Sequence, residues 1–285
     1  MPRYNGCMKK ILLIIALLIA SSAVSSQAED GTSLAVIFQR EVDRRLDVPQ
    51  QDQARYAQLL DAALARAGTA IVKSQYVLMV DRNRHVQAIF VYWLNAQAAS
   101  DRLHFIGASP TSTGKPGEFD YFITPPGVFA HTLANKDFRS EGTLNKLGIR
   151  GFGRKGMRVY DFGWVRGKRG WGSGGLSQMR LLLHSTDPDY LEPDLGEVMS
   201  KGCIRIPATL NTFIDRYGLL DADYEVALVK GKKLWMLRAD RMPTPWSGRY
   251  LVIVDSGSTA RPAWSPKPAA IAKHHTASAG LEEGC

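Results

Sequence analysis

The chain has 285 residues, of which 45% are hydrophobic and 9% aromatic, so it can bury a sizeable core and is not disordered throughout. Its 26 glycines and 14 prolines predict many turns, and its 3 cysteines exclude a fold held together by many disulfides. The formal net charge of +9 favours contact with anionic polymers or surfaces. The sequence has no zinc-finger spacing and no long run of like charges, so nucleic acid is not an expected partner.

Residues 1–28 predict an export signal. Basic residues precede a continuous apolar run at 11–20, and small polar residues follow it. This is the three-part arrangement of a secretory signal peptide, with cleavage expected after Ala28 or, as an alternative, after Ala23. The apolar run is shorter than the roughly 20 residues that span a bilayer. We therefore expect no stable membrane span after cleavage and a periplasmic or extracellular location, with an uncleaved anchor as the alternative.

Hydrophobic spacing divides the rest of the chain into three parts. Residues 29–70 have apolar residues three and four apart on either side of Pro49, which predicts a small segment of two helices. Residues 71–255 contain short β-rich runs separated by turn residues, which is typical of a curved sheet, sandwich or small barrel. Residues 256–285 are rich in proline and alanine, which predicts a disordered tail. The β-rich runs lie at residues 76–81, 86–94, 103–109, 119–124, 157–163, 179–185, 224–231, 233–239 and 250–256.

Two further features interrupt the β-rich part of the chain. Pro207 and Gly218 flank an amphipathic stretch, which predicts one short helix between them. Residues 167–175 are rich in glycine but lack the Lys-Ser/Thr ending of a phosphate-binding loop. We therefore interpret this stretch as a flexible flap between two strands.

Cysteine chemistry is concentrated at Cys203. If Cys7 is removed with the signal, Cys203 and Cys285 are left in an oxidising compartment, where they can form a disulfide. The alternative is that Cys203 is a nucleophile, because a helix N-terminus and a cation such as Lys201 both favour the thiolate. His184, at the end of an apolar strand, is then the candidate base.

Two ordered motifs resemble those of one enzyme family. His-Ser at 184–185, followed by Ser-Lys-Gly-Cys-Ile-Arg at 200–205, resembles the His…Ser-His-Gly-Cys signature of the L,D-transpeptidase catalytic domain (YkuD type). Upstream, Ser-Thr-Gly at 112–114 and Thr-Pro-Pro-Gly-Val-Phe at 124–129 resemble two turn motifs of that family. The resemblance covers roughly residues 76–230. It implies a mainly β catalytic domain with short helices, curved into a sandwich or barrel-like shape, preceded by the small helical segment.

The resemblance also implies a reaction. Cys203 would attack the carbonyl on the L-centre of a meso-diaminopimelate residue in a peptidoglycan stem peptide, and would expel the terminal D-amino acid. The acyl group would then pass to an acceptor amine. His184 would take the thiol proton, and the backbone carbonyl of Ser185 would orient the imidazole. This mechanism requires no metal and no cofactor.

Substrate binding is expected at the residues around Cys203. By the resemblance, Ser200, Gly202 and the Cys203 amide would surround the developing oxyanion. Arg205 would hold the loop or meet a substrate carboxylate, with an ordinary ion pair as its alternative role. Lys201 departs from the family, which usually has a second histidine there, and an ammonium group cannot relay protons near neutral pH as an imidazole can.

Several functions remain compatible with the same acyl-enzyme. An amine acceptor makes the protein an L,D-transpeptidase, water makes it an L,D-carboxypeptidase, and cleavage of a bond between the wall and a protein makes it an amidase. A catalytically idle wall-binding module is the alternative from a different class. The expected partners are peptidoglycan stem peptides, with a wall-attached protein as a further acceptor, and the expected processes are cell-wall biogenesis and cell shape.

Overall fold

The computed structural model describes Met1 and residues 31–267, so the predicted signal peptide and most of the predicted tail lie outside the described residues. The strands are β1 (Gln75–Asp81), β2 (Ala88–Leu94), β3 (Leu103–Pro110), β4 (Phe122–Ile123), β5 (Gly127–Ala130), β6 (Phe138–Arg139), β7 (Arg158–Arg169), β8 (Leu176–Ser185), β9 (Ile204–Ile206) and β10 (Tyr250–Val254). Sheet 1 has the order β3-β2-β1-β10-β5. Sheet 2 has the order β4-β7-β8-β9, with β6 also paired to β7.

Short helices accompany the sheets, namely α1 (Leu34–Glu41), α2 (Gln50–Arg66), α3 (Ala208–Tyr217) and α4 (Ala222–Val229). The prediction of two helices before the first strand is confirmed, and Pro49 immediately precedes the second of them. The helix predicted between Pro207 and Gly218 is α3, which Gly218 ends in the left-handed conformation at φ +60°. Within residues 31–267, no helix is both long and apolar enough to cross a bilayer.

The central strands of sheet 1 are buried on both faces. Every residue of β1 and β2 is buried. Leu78 and Val80 belong to the core shared with sheet 2 and α3, whereas Val77 and Met79 belong to the core beneath α2. Successive side chains of a strand point to opposite faces, so both faces need apolar residues. This double burial explains why these runs are continuously apolar in the sequence.

Sheet 2 positions the residues that the sequence analysis selected. Strands β7 and β8 form a long antiparallel hairpin, and the glycine-rich residues 167–175 form its end. Strand β8 then pairs in parallel with β9, with His184 opposite Arg205. Cys203 directly precedes β9. The mainly β fold class is confirmed, and it consists of two sheets with a shared core rather than a closed barrel.

Two predicted strands near the C-terminal end are wrong. Residues 224–231 begin within α4 and end in a turn, and residues 233–239 form turns and irregular structure. Tyr224 and Ala227 lie three residues apart and are both buried, which is helical spacing. The apolar side chain of Val229 is exposed, so the run of apolar residues did not indicate a buried strand.

The structure differs from the sequence prediction for residues 256–267, which lie within the segment predicted to be a disordered tail. Trp264 makes edge contacts with Tyr56 and Phe90, at ring-centroid distances of 5.9 and 6.0 Å. Its indole N–H also donates a hydrogen bond to Asp52 at 2.8 Å. An indole that buries its ring and pairs its polar N–H can hold a chain segment in place. This part of the segment is therefore packed against α2 and sheet 1.

Candidate active site

The two family-like motif regions meet in the structure. The backbone amides of Met199 and Ser200 both donate to the carbonyl of Thr113, at 2.9 and 3.1 Å. The amide of Lys115 donates in return to the carbonyl of Ser200 at 2.9 Å. The Ser-Thr-Gly turn therefore holds the loop that leads to Cys203.

Thr124 connects the same elements through its side chain. Its hydroxyl accepts a hydrogen bond from the Gly114 amide and donates one to the Gly202 carbonyl, both at 2.8 Å. Thr124 is fully buried. Nearby, the amide of Phe122 donates to the carbonyl of Lys201 at 3.0 Å. All three motif segments are thus hydrogen-bonded around residues 200–203.

Position 202 requires glycine for two reasons, the backbone conformation and the lack of room for a side chain. Its φ of +131° is one that L-residues rarely adopt. A Cβ placed there would lie 2.7 Å from the terminal methyl carbon of Met179 and 3.1 Å from Cβ of Phe122. A side chain at this position would force apart strands β8 and β4.

The Ser200 hydroxyl organises the turn around Gly202. It accepts a hydrogen bond from the Gly202 amide at 3.1 Å and donates one to the Cys203 carbonyl at 2.6 Å. The Gly202 amide, which the sequence analysis assigned to an oxyanion site, is therefore already bound within the loop. A substrate oxygen would have to replace the Ser200 hydroxyl as its acceptor.

Cys203 is fully buried at the end of this loop. It packs with Val159 and Leu182, and the ring of Phe152 lies against the same cluster. Its sulfur is 3.6 Å from the carbonyl oxygen of Arg180. The structure has Cys203 in a disulfide, and no second cysteine lies within residues 31–267. The candidate nucleophile is thus an oxidised sulfur in the conformation described.

The expected helix N-terminus beside Cys203 is not where the sequence analysis placed it. Strand β9 separates Cys203 from the start of α3, and the intervening chain spans roughly 13 Å when extended. The Glu192 carboxylate accepts a hydrogen bond from the amide of Ala208, at the first turn of α3, at 2.5 Å. Because the helix dipole acts only within about one turn, the N-terminus of α3 is too far from Cys203 to stabilise a thiolate there.

His184 has a defined tautomer. Its Nδ1 lies 2.8 Å from the carbonyl oxygen of Ser185, which can only accept, so Nδ1 carries the proton. Nε2 has no hydrogen-bond partner among the described residues, although it is buried. Burial and the positive charge of Arg205 lower the pKa of His184 to about 3, despite the opposing effect of the hydrogen bond to Ser185. At neutral pH the imidazole is therefore uncharged, with its lone pair on Nε2.

His184 and Cys203 share the same side of sheet 2. In β8, Leu182 and His184 are two residues apart and point to the same face. Leu182 packs with Cys203, and the Phe152 ring, 4.8 Å from the His184 ring, packs against both of them. The base candidate and the sulfur therefore border one apolar pocket of side chains.

Lys201 and Arg205 flank Cys203 in the sequence, each two positions away. Arg205 is nearly buried, and its backbone exchanges hydrogen bonds with Ser112, at 2.9 and 3.0 Å. Lys201 is half-buried, with its ammonium nitrogen 5.8 Å from the centre of the Tyr121 ring. Of these two cations, Arg205 has an electrostatic effect on the candidate base, because its charge helps to lower the pKa of His184.

Sequence reasoning missed two residues that support the site. Gln87 uses its side-chain carbonyl to accept from the Thr113 amide at 2.8 Å, and its side-chain amide donates to the Thr113 hydroxyl at 2.9 Å. Phe152 supplies the aromatic contact to His184. Gly153, next to Phe152, leaves room for Ser185, because a Cβ there would lie 2.7 Å from the serine Cβ. No local sequence pattern distinguishes these residues, since each contact joins distant segments.

The acidic loop after His184 is anchored by arginines. The buried Asp187 carboxylate accepts from the backbone amide of Arg150 at 2.7 Å. Asp189 forms ion pairs with Arg150 and Arg154, at 2.7 and 2.5 Å. Across residues 31–267, no group of three His, Cys, Asp or Glu side chains is arranged to hold a metal ion. These acids therefore hold the loop against the segment that carries Phe152.

Comparisons with known proteins give remote similarities to solved structures. No model of a known protein family matches the chain, and no curated protein matches it. A fused Zn-dependent amidase/peptidase/peptidoglycan-binding domain-containing protein from Clostridium acetobutylicum is 14% identical over 75% of this chain, with a TM-score of 0.28. The helical cell shape determining protein Pgp2 (K307A mutant) from Campylobacter jejuni is 12% identical over 74% of this chain, also with a TM-score of 0.28. This chain spans 66% and 58% of the lengths of those two proteins.

Proposed function

We propose that the chain is an exported, cysteine-dependent L,D-transpeptidase that acts on peptidoglycan stem peptides. The observation that carries the proposal is the state of His184, whose Nδ1 is bound by Ser185 and whose neutral Nε2 has no partner among the described residues. This histidine borders the same pocket as Cys203. The family-like motifs around Gly202 support the same reaction.

In the first half of the reaction the reduced Cys203 thiol gives its proton to Nε2 of His184. The thiolate attacks the carbonyl carbon on the L-centre of meso-diaminopimelate and forms a C–S bond. The C–N bond to the terminal D-amino acid then breaks, and His184 returns the proton to the leaving nitrogen. The products are a thioester on Cys203 and a free D-amino acid. Burial disfavours the imidazolium, so the thiolate that forms with it must supply compensating charge.

In the second half of the reaction an acceptor amine attacks the thioester. His184 takes a proton from the attacking nitrogen as the new amide forms, and the Cys203 sulfur leaves and recovers that proton. The Ser185 carbonyl keeps the proton of Nδ1 in place throughout, so Nε2 remains the exchanging atom. Arg205 and Lys201 supply positive charge for substrate carboxylates, and the Gly202 amide binds the oxyanion once Ser200 releases it.

The disulfide at Cys203 adds a requirement to this proposal. A disulfide sulfur cannot attack a carbonyl, so a thiol reductant must first convert it to the free thiol. Disulfides persist in oxidising compartments, which supports the proposed periplasmic or extracellular location. The same disulfide favours the second candidate function, a wall-binding module that holds the stem peptide without turnover.

The test is intact-mass and product analysis with a tetrapeptide-bearing muropeptide, under reducing conditions. We expect the wild type to release the terminal D-amino acid and to carry a transient acyl adduct, whereas Cys203→Ala does neither. His184→Gln should retain the thiol but lose acylation by at least about 100-fold, as expected for removal of a general base. Cross-linked products indicate a transpeptidase, and tripeptide alone indicates an L,D-carboxypeptidase. Absence of both product and adduct in the folded, reduced wild type would reject the enzyme in favour of the binding module.

A further inference from the structure

The outer side of the β7–β8 hairpin is an exposed strip that the proposed reaction does not use. In the antiparallel register Trp164 faces Arg180, Arg166 faces Gln178, and Lys168 faces Leu176. Directly paired residues share a face, as do residues two apart along a strand, so all six lie on one side. We call these six residues the basic face.

The basic face is open to solvent and positively charged. All six residues are exposed, with Trp164 at 68% and Leu176 at 58% of full exposure. None of the six is acidic. Within the described part of the chain, Arg166 and Lys168 form no ion pair, whereas Arg180 pairs with Asp161, its Nε lying 2.9 Å from Oδ2. The charges of Arg166 and Lys168 are therefore available to an external anion.

The opposite side of the same hairpin packs into the shared core, whereas Leu182 and His184 follow Arg180 on the same side of β8 as the basic face. Val165 pairs with Met179, and Met179 is the side chain that packs against Gly202. The carbonyl of Arg180, at the inner end of the basic face, lies 3.6 Å from the Cys203 sulfur. From that end the basic face extends for roughly 14 Å, at about 3.4 Å per residue over four residue steps. A ligand lying along it would end beside Cys203.

We propose that the basic face binds intact peptidoglycan, an anionic polymer of sugars and acidic peptides, outside the catalytic pocket. This inference rests on the proposed function for the identity of the polymer. Arg166 and Lys168 would pair with carboxylates of neighbouring stem peptides, and the exposed Trp164 ring would cover an apolar sugar face. The basic face has no acidic residue and peptidoglycan carries many carboxylates, so their charges are complementary. This complementarity supports peptidoglycan as the ligand.

The experiment measures binding of the full mature chain to purified sacculi at two salt concentrations. We expect Arg166→Gln combined with Lys168→Gln to weaken binding about tenfold at low salt and to flatten its salt dependence. Trp164→Ala should weaken binding at both salt concentrations, since ring contact is not screened. The matched control is Lys232→Gln combined with Lys233→Gln, which removes the same charge from exposed positions away from this hairpin. Turnover of a soluble muropeptide should stay within about twofold of wild type in all three variants.

The outcomes separate this inference from the proposed function. If the basic-face variants bind sacculi as tightly as wild type, the inference is overturned even if the wild type turns over muropeptides. If sacculus binding falls in those variants but the wild type has no turnover, the inference that the basic face binds peptidoglycan is supported and the enzyme proposal is rejected. Vesicles of anionic phospholipid provide the last comparison. Loss of vesicle binding without loss of sacculus binding would assign the basic face to a membrane and overturn the inference.

Discussion

At the scale of single residues, one backbone carbonyl determines the chemistry available to His184. Because the Ser185 oxygen accepts from Nδ1, the lone pair must be on Nε2. Burial among Phe152 and its neighbours then keeps the ring neutral. Neutral imidazole with a fixed tautomer is the form needed to accept a thiol proton.

The lowered pKa of His184 predicts a specific loss of stability in acid. The unfolded histidine titrates near pH 6.5, while the folded one has a pKa of about 3. Between these values the unfolded state binds more protons, so stability falls as the pH falls from 6.5 towards 3. We expect wild type to lose about 3 kcal/mol from this residue between pH 7 and 4, and His184→Gln to lose none.

Urea unfolding of both proteins at a series of pH values checks this prediction. The informative quantity is the difference between the two pH profiles, because carboxylates elsewhere titrate in both proteins. Parallel profiles from pH 7 to 4 would mean that His184 is not buried in its neutral form.

The disulfide at Cys203 predicts redox-dependent thiol reactivity. Under oxidising conditions iodoacetamide should leave Cys203 unmodified, and after reduction alkylation should become measurable. Peptide mapping by mass spectrometry reports modification at this residue. Cys285→Ser tests the pairing that the sequence analysis left open. If this variant of the mature chain is alkylated at Cys203 without reductant, Cys285 is the partner, and unchanged protection would exclude it.

At the scale of elements, the site depends on hydrogen bonds between segments far apart in the chain. Thr124 joins the turn at Gly114 to the loop at Gly202 through one hydroxyl. Removing a buried hydrogen-bonding group leaves its partners without water or replacement. The loop before Cys203 therefore owes its shape to residues that do not contact the sulfur.

Thr124→Val distinguishes the contribution of the side chain's shape from that of its two hydrogen bonds. Valine has nearly the same volume but leaves the Gly114 amide and the Gly202 carbonyl unpaired, at a cost of about 2 kcal/mol. We expect Thr124→Val to have a lower midpoint temperature of thermal unfolding and a lower acylation rate. The acylation rate should fall in greater proportion than the unfolding midpoint. Thr124→Ser keeps the hydroxyl and should recover most of both properties. Equal behaviour of the two variants would show that the bridge does not order the loop.

The sequence predicted elements well where burial and periodicity agree, and poorly where they do not. The continuous apolar runs of β1 and β2 were recognisable because both faces of sheet 1 are covered. Residues 224–231 were misassigned because helix α4 is short and its exposed face includes Val226 and Val229. In that segment, composition pointed to a strand while tertiary packing selected a helix.

The candidate site was predictable only in part, for a similar physical reason. Short motifs identified Cys203, His184 and the turns that approach them. The contacts of Gln87 and Phe152 depend on how the sheets bring distant segments together, which no local spacing records. The distance from Cys203 to α3 was misjudged because the three-residue strand β9 has no recognisable pattern of its own.

At the scale of the whole molecule, a buried charge cluster joins sheet 2 to the C-terminal helices. Arg158 is completely buried, with its guanidinium 2.7 Å from both Asp137 and Asp221 and 3.3 Å from Asp215. Its charge also lies 4.7 Å from the centre of the Tyr160 ring. The neighbouring carboxylates keep the pKa of Arg158 well above its usual value, despite burial. The cluster replaces apolar packing at the base of the hairpin.

Arg158→Met should be among the most destabilising substitutions in the protein. It removes the buried cation that Asp137, Asp215 and Asp221 share, and breaking such a buried pair costs about 3–5 kcal/mol. Guanidinium chloride unfolding measures the loss. The matched control is Arg238→Met, which breaks an ion pair between exposed side chains, with Asp240, and should leave the unfolding midpoint nearly unchanged. Similar losses of unfolding free energy in both variants would contradict the argument that the burial of Arg158 makes its ion pairs important for stability.

The position of β10 has a consequence for how the chain folds as it emerges. Although β10 is the last strand within residues 31–267, it lies inside sheet 1, parallel to β1 and antiparallel to β5. A chain that leaves a ribosome or an export channel from its N-terminus therefore holds β1 with an open edge until residues 250–254 follow. Such long-range closure is slow and exposes the nascent sheet to aggregation. Completion of the fold, and with it of the candidate active site, must wait until residues 250–254 have arrived.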